Sequence, residues 1–330
     1  MKKVINNPEE VVNEMLDGIV KAHPEYVRVI KDKKVIVRAN LTKKVTLVSG
    51  GGSGHEPSHG GFVGKGMLDA AVAGEVFTSP TPDQVFEAIK AIDQGKGVLM
   101  VIKNYTGDIL NFEMAGEMAE AEGIETASVV VNDDVAVEDS LYTTGRRGIA
   151  GTVFIHKIAG AAAEKGMELS EVKRVAEKVI ANVRSMGMSL TPCTIPAAGK
   201  PGFELAEDEM EIGLGIHGEP GTHRDKIQDA AGIVKQLADK ILGDLPLSSG
   251  DEIAVMVNGL GGTPLMELYI ANNEFRKILD AKGVKVAKTL VGNFMTSIEM
   301  AGFSLTVLKL DAELKELLNA PADTPAFKQL

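Results

Sequence analysis

The sequence predicts an α/β protein of two α/β domains, each a β-sheet flanked by helices. Three observations carry this. Short runs rich in Val, Ile and Leu recur along the 330 residues. Amphipathic stretches with helical spacing alternate with them, as in layered α/β folds. Around 187–202 three prolines, Cys193 and several small residues break the alternation. That break sets a boundary between an N-terminal domain at 1–186 and a C-terminal domain at 187–330.

The elements follow in order. Asn7 caps a first helix, Pro8 sits in its first turn, and Glu9 and Glu10 suit the positive end of its dipole. Val12, Met15, Leu16, Ile19 and Val20 then recur at helical spacing. Val35–Val37, Val45–Val48 and Ala70–Val76 read as strands, and Thr81-Pro82-Asp83 opens a second helix. Val98–Ile102 is apolar without interruption, as a strand buried on both faces requires. Asn111–Glu122 is predicted helical and Ala127–Val131 a strand. Gly148–Lys165 is a small-residue helix, and Ser170–Met186 an amphipathic one. After the break the pattern restarts with a strand at Glu211–Ile216 and a helix at Asp225–Leu242. A strand at Ile253–Val257 and a helix at Pro264–Ala281 follow. Strands at Val284–Leu290 and Ser304–Leu308 precede a last helix at Ala312–Leu318. The tail after Ala320 is expected to be loosely ordered.

Composition narrows the function classes. The net charge is −11, and the short basic pairs are scattered among acids. A nucleic-acid backbone or an anionic membrane surface calls for a basic patch, so neither is expected as a ligand. Cys193 is the single cysteine, which excludes an intramolecular disulfide and a cysteine-based metal site. No signal-like or membrane-spanning apolar stretch is evident, and the expected location is the cytoplasm.

Four glycine-rich loops carry the candidate chemistry. Ser49–Pro57 (SGGGSGHEP) follows the strand Val45–Val48, and its glycines let backbone N–H groups approach a small polar ligand. It lacks the Gly-Lys-Ser/Thr of a phosphate loop and the spacing of a dinucleotide fingerprint. Ile102–Asp108 (IKNYTGD) also follows a strand. Ligands collect beyond the carboxyl ends of strands in open α/β sheets, so Lys103 and Asp108 are expected near His55. In Gly213–Gly221 (GLGIHGEPG) His217 ends a strand among glycines that leave its imidazole accessible. A lone histidine is more often structural, but this setting is ligand-shaped. Val257–Pro264 (VNGLGGTP) reads as a structural strand-to-helix turn, with Thr263 capping and Pro264 at the first helical position. No histidine–acid pattern with metal spacing is present, and no metal site is expected.

Together these stretches resemble the dihydroxyacetone kinase family. The matching segments are SGGGSGHEPSHGGFVGKGML (49–68), GEVFTSPTPDQV (74–85), IKNYTGDILNFEMA (102–115), GRRGIAGT (145–152), GIHGEPG (215–221) and VNGLGGTPLMELY (257–269). The resemblance implies that dihydroxyacetone forms a hemiaminal with His217, and that His55 and Asp108 are the acid/base pair. It implies that Gly52, Ser53, Gly54, His55, Lys103, Asp108, Ser79 and His217 line the ketone. It is closest to the free-standing K subunit of the phosphotransferase-linked bacterial type, typically a homodimer. Such a subunit binds no cofactor itself. Its ADP or ATP and Mg²⁺ belong to a partner L subunit, recharged from phosphoenolpyruvate through an M subunit. Neutral imidazole can add to an electrophilic carbonyl if donors receive the oxyanion. A non-catalytic paralogue that binds dihydroxyacetone as a transcriptional co-activator is one rival, and intact His55, Lys103 and Asp108 weigh against it; a fatty-acid-binding or nucleotide-binding α/β protein of similar layout is another, disfavoured by the lack of Walker motifs and the charge on the loops.

Overall fold

Two six-stranded sheets organise the chain, each built on a buried apolar run. The structure, a computed structural model, describes residues 2–138, 143–219 and 221–330. Asn7 accepts from the Glu9 N–H and opens a single 3₁₀ turn, which runs into α1 (Val11–Ala22). Strands β1 (Val27–Ile30), β2 (Val35–Arg38), β3 (Thr46–Ser53) and β4 (Ala70–Val76) follow. Then come α2 (Pro82–Ile92), β5 (Val98–Lys103), α3 (Thr106–Ala121) and β6 (Thr126–Val131). The first sheet has the order β1-β2-β4-β3-β5-β6. Strands β4, β3, β5 and β6 run parallel, while β1 and β2 are antiparallel additions. Every residue of β3 and β5 is buried, as continuous apolar patterning in a parallel sheet requires.

Helices α4 (Thr152–Glu164) and α5 (Leu169–Asn182) cover the first sheet and lead to β7 (Val183–Ser189). Then come β8 (Glu209–Ile212), β9 (His223–Lys226), α6 (Ala230–Asp244), β10 (Glu252–Gly259), α7 (Leu265–Ala281), β11 (Lys285–Gly292) and β12 (Gly302–Leu310). The second sheet is ordered β11-β10-β12-β7-β8-β9 and is antiparallel except for the β10–β11 pair. Helix α8 (Ala312–Asn319) then returns to the first half. Its Leu314, Leu317 and Leu318 join the core formed around α4 and α5. The strands of the first sheet lie within 27–131 and those of the second within 183–310.

Several expectations change. The helix expected over Ser170–Met186 stops at Asn182, and 183–189 is a central strand pairing with β12 along seven residues. Helical spacing carried through Val183 and Met186 because both are buried, but the second sheet claims their backbone hydrogen bonds. The strand expected at Glu211–Ile216 starts at Glu209 and ends at Ile212, because Gly213 has φ +75° and turns the chain. His217 therefore lies in the loop after a strand, not at its end. Asp229 caps α6 by accepting from the Gly232 N–H, while the expected start at Asp225 falls in β9. Thr263 caps nothing: its hydroxyl exchanges two 2.7 Å bonds with the backbone of Gly302. The tail is ordered. Strands β13 (Ala322–Asp323) and β14 (Lys328–Gln329) pair, and Ala322, Thr324 and Phe327 are buried.

Among the described residues, no helix is long and apolar enough to cross a membrane, and no group of His, Cys, Asp and Glu is placed to hold a metal ion.

Candidate active site

The site forms where the carboxyl ends of β3, β4 and β5 meet the loop after β8. A cavity of about 560 Å³ opens there, lined by Gly52, Phe77, Ser79, Tyr105, Asp108 and His217 among others. Residues from both halves of the chain contribute, His217 and Ile195 from loops of the second, so the fold must close before the cavity exists.

The loop after β3 is clamped to the second half. The Thr296 and Ile298 N–H groups donate to the carbonyls of His55 and Gly54, at 3.1 and 2.8 Å. His55 Nδ1 lies 2.8 Å from the Thr296 carbonyl, an acceptor only, so Nδ1 carries the proton and donates. Its Nε2 is then the lone-pair nitrogen, buried and without a hydrogen-bond partner. Burial holds this imidazole well below the ordinary histidine range, and the charges of His217 and Lys103 add to that. His55 is therefore neutral at physiological pH. Its ring stacks on Phe77 at 5.2 Å and meets the His217 ring edge-on at 4.9 Å.

His217 is the more accessible partner, with its side chain 15% exposed. Its ring edge also faces Tyr105 at 4.7 Å and Phe77 at 5.2 Å. Nδ1 bonds Glu219 Oε1 at 2.9 Å, and the other Glu219 oxygen accepts from the His217 backbone N–H. Burial opposes ionisation of Glu219, but His217 and the more distant Arg147 outweigh it and hold the carboxyl below its ordinary value. Pro220 of this motif lies outside the described residues.

Asp108 stands in the first turn of α3. It accepts from Ser79 Oγ at 2.5 Å and from Lys103 Nζ at 3.2 Å. Lys103, the last residue of β5, is fully buried and also donates to the Gly50 carbonyl at 3.2 Å. Glycine at 51 makes this possible, since a Cβ there would stand 2.4 Å from Lys103 Nζ. A Cβ at Gly52 would stand 2.6 Å from the backbone of Thr78, so the two strand ends could not close together.

Of the residues expected to line the ketone, Gly52, Ser79, Asp108 and His217 border the cavity directly. Lys103 and His55 sit one layer behind it. Ser53, the last residue of β3, and Gly54 after it do not line the cavity. Ser53 donates to the Gly74 carbonyl at 2.7 Å, and both residues border a smaller, mainly apolar cavity of about 140 Å³. Glu219, Tyr105, Phe77 and Arg147 were not singled out from the sequence. Glu219 lies two residues beyond His217 in GIHGEPG and Arg147 lies in GRRGIAGT, but no spacing in the sequence links one to the other.

Comparison with known proteins identifies the family and the fold. The Dak1 domain family model matches residues 17–326. The chain is 56% identical over 329 residues to the dihydroxyacetone-binding subunit of PTS-dependent dihydroxyacetone kinase 1 of Listeria innocua, covering 99% of this chain and all of that one. It superposes on the dihydroxyacetone kinase of C. freundii with a TM-score of 0.92 at 36% identity, covering 99% of this chain and 60% of that one. It also superposes on a dihydroxyacetone kinase operon co-activator with a TM-score of 0.91 at 36% identity, over 96% and 98% of the two chains. With a family match spanning nearly its whole length and a fold shared end to end, this chain belongs to the Dak1 domain family of the dihydroxyacetone kinases.

Proposed function

We propose that this chain is the dihydroxyacetone-binding subunit of a dihydroxyacetone kinase and holds its substrate as a hemiaminal on His217. The observation that carries this reading is the meeting of the His217 and His55 rings, 4.9 Å apart, beside a cavity bordered by Asp108 and Ser79. The Listeria innocua relative, a dihydroxyacetone-binding subunit, supports it.

The chemistry follows from the groups present. The Nε2 lone pair of His217 adds to the carbonyl carbon, and the π pair moves to oxygen, which takes up a proton. Polyols lack the carbonyl and form no such bond, so covalency selects ketone over glycerol where hydrogen bonds discriminate poorly. The adduct also fixes the terminal hydroxyl for attack, a gain in orientation. Asp108, held by Lys103 and Ser79, and neutral His55 are the acid/base pair that takes up that hydroxyl's proton as it attacks. The phosphoryl group would come from the nucleotide of a partner L subunit, whose ADP, held with Mg²⁺, would be recharged to ATP from phosphoenolpyruvate through an M subunit. The product is dihydroxyacetone phosphate. The K subunit works in the cytoplasm as a homodimer.

The fold shared with an operon co-activator favours a second reading, ketone binding without phosphoryl transfer. Native intact-protein mass spectrometry with dihydroxyacetone, on wild type and His217→Ala, tests the first step. An adduct on wild type alone, with turnover once an L subunit and a phosphoryl donor are added, is the expected result. An adduct with no turnover assigns the co-activator role. Absence of a His217-dependent adduct overturns the mechanism.

A further inference from the structure

Behind His217 lies a row of buried charges that the acid/base chemistry above does not use. Glu219 grips the histidine twice, at Nδ1 and at its backbone N–H. Its carboxylate rests against Gly215, where a Cβ would stand 2.0 Å from one oxygen. Arg147 Nη1 lies beside the same glycine, 2.7 Å from that Cβ position, and has no hydrogen-bond partner of its own. The rest of the guanidinium is locked: Nε donates to Asp134 at 2.8 Å, Nη2 donates to the Gly213 carbonyl at 2.7 Å, and Nη2 also pairs with the Asp134 carboxylate at 2.7 Å. Arg147, Asp134 and Glu219 are all buried.

A carboxylate can only accept, so the neutral ring must present Nδ1–H to it. The lone pair is then confined to Nε2. We infer that Glu219 is a positioning residue that fixes the His217 tautomer for carbonyl addition, and that Arg147, anchored by Asp134, keeps Glu219 ionised in its buried seat. As Nε2 forms the C–N bond the ring gains positive charge, while the carbonyl π pair goes to oxygen and takes a proton from solvent. The carboxylate at Nδ1 offsets that charge. A buried carboxylate orienting a histidine is a general device, and losing the correct tautomer is costly.

The inference rests on the proposed adduct for its purpose, but its first test does not. Long-range ¹H–¹⁵N imidazole spectra of the free protein read the tautomer directly. The expected result is Nδ1–H on His217 in wild type. Glu219→Gln presents an amide whose NH₂ group can face either Nδ1 or the backbone N–H, and should shift the ring toward Nε2–H. Dihydroxyacetone adduct formation in Glu219→Gln should fall by on the order of 10²-fold or more, with Glu219→Asp recovering part of the loss. An Nε2–H tautomer in wild type overturns the inference even if the adduct forms. So does an unchanged adduct in a folded Glu219→Gln. An Nδ1–H tautomer in a wild type that forms no adduct leaves this geometry standing and removes the proposed function instead.

Discussion

At the scale of single residues the site depends on atoms that are missing. Gly215 has no Cβ, and the space it leaves holds the Glu219 carboxylate and one nitrogen of Arg147. Gly215→Ala must displace a buried charged group. The expected cost is about 1–3 kcal/mol of stability from overpacking, read from urea unfolding. Loss of ketone binding should accompany it, read by calorimetry with dihydroxyacetone. A stable variant with unchanged binding would mean that the carboxylate can sit elsewhere. The contrast with Gly51 is informative. There the absent Cβ makes room for Lys103, which reaches the Gly50 carbonyl and Asp108 through the gap.

At the scale of elements, α4 is buried along nearly its whole length and carries His156 into the core. His156 Nε2 meets His59 Nδ1 at 3.0 Å, beside Ser49 at the middle of β3. Burial pulls the His156 imidazole down to about 3, with the Lys103 charge adding to the effect. In the unfolded chain it titrates at its ordinary value of 6.5. The neutral ring thus contributes stability that is full above pH 6.5 and is lost as pH falls below it. From pH 8 to pH 5 this one group should account for about 2 kcal/mol of acid destabilisation. Urea unfolding of wild type and His156→Gln across that range checks it. The variant should lose less, and parallel curves would contradict the account. The sequence marked α4 as a tightly packed small-residue helix because Ala and Gly dominate it. It passed over the buried histidine pair, since nothing in spacing alone brings residue 59 to residue 156. The same limit explains β7. Its apolar residues fit the helix that precedes it, and only pairing with β12, more than a hundred residues later, makes it a strand. The glycine loops were legible because strand-then-glycine is a local signal. Glu219 was not, because its role depends on Arg147 from a distant loop.

At the scale of the whole molecule the two sheets are tied by exchange. The loop after β3 hangs on Thr296 and Ile298, and α8 crosses back to pack on α4. Leu317 is buried in the first-half core although it follows every strand of the second sheet. Leu317→Ala should cost about 2–5 kcal/mol. Unfolding should remain a single transition by both fluorescence and circular dichroism, because the damage is shared by both halves. Two separated transitions would show instead that the halves melt independently.

The return of α8 also sets an order of events during synthesis. Chains grow from the N-terminus, and the half that emerges first lacks three of its core leucines until residues 314–318 are made. The early half therefore cannot complete its core until α8 has been made. A ribosome that stalls anywhere before α8 releases a chain whose first core is still open to water.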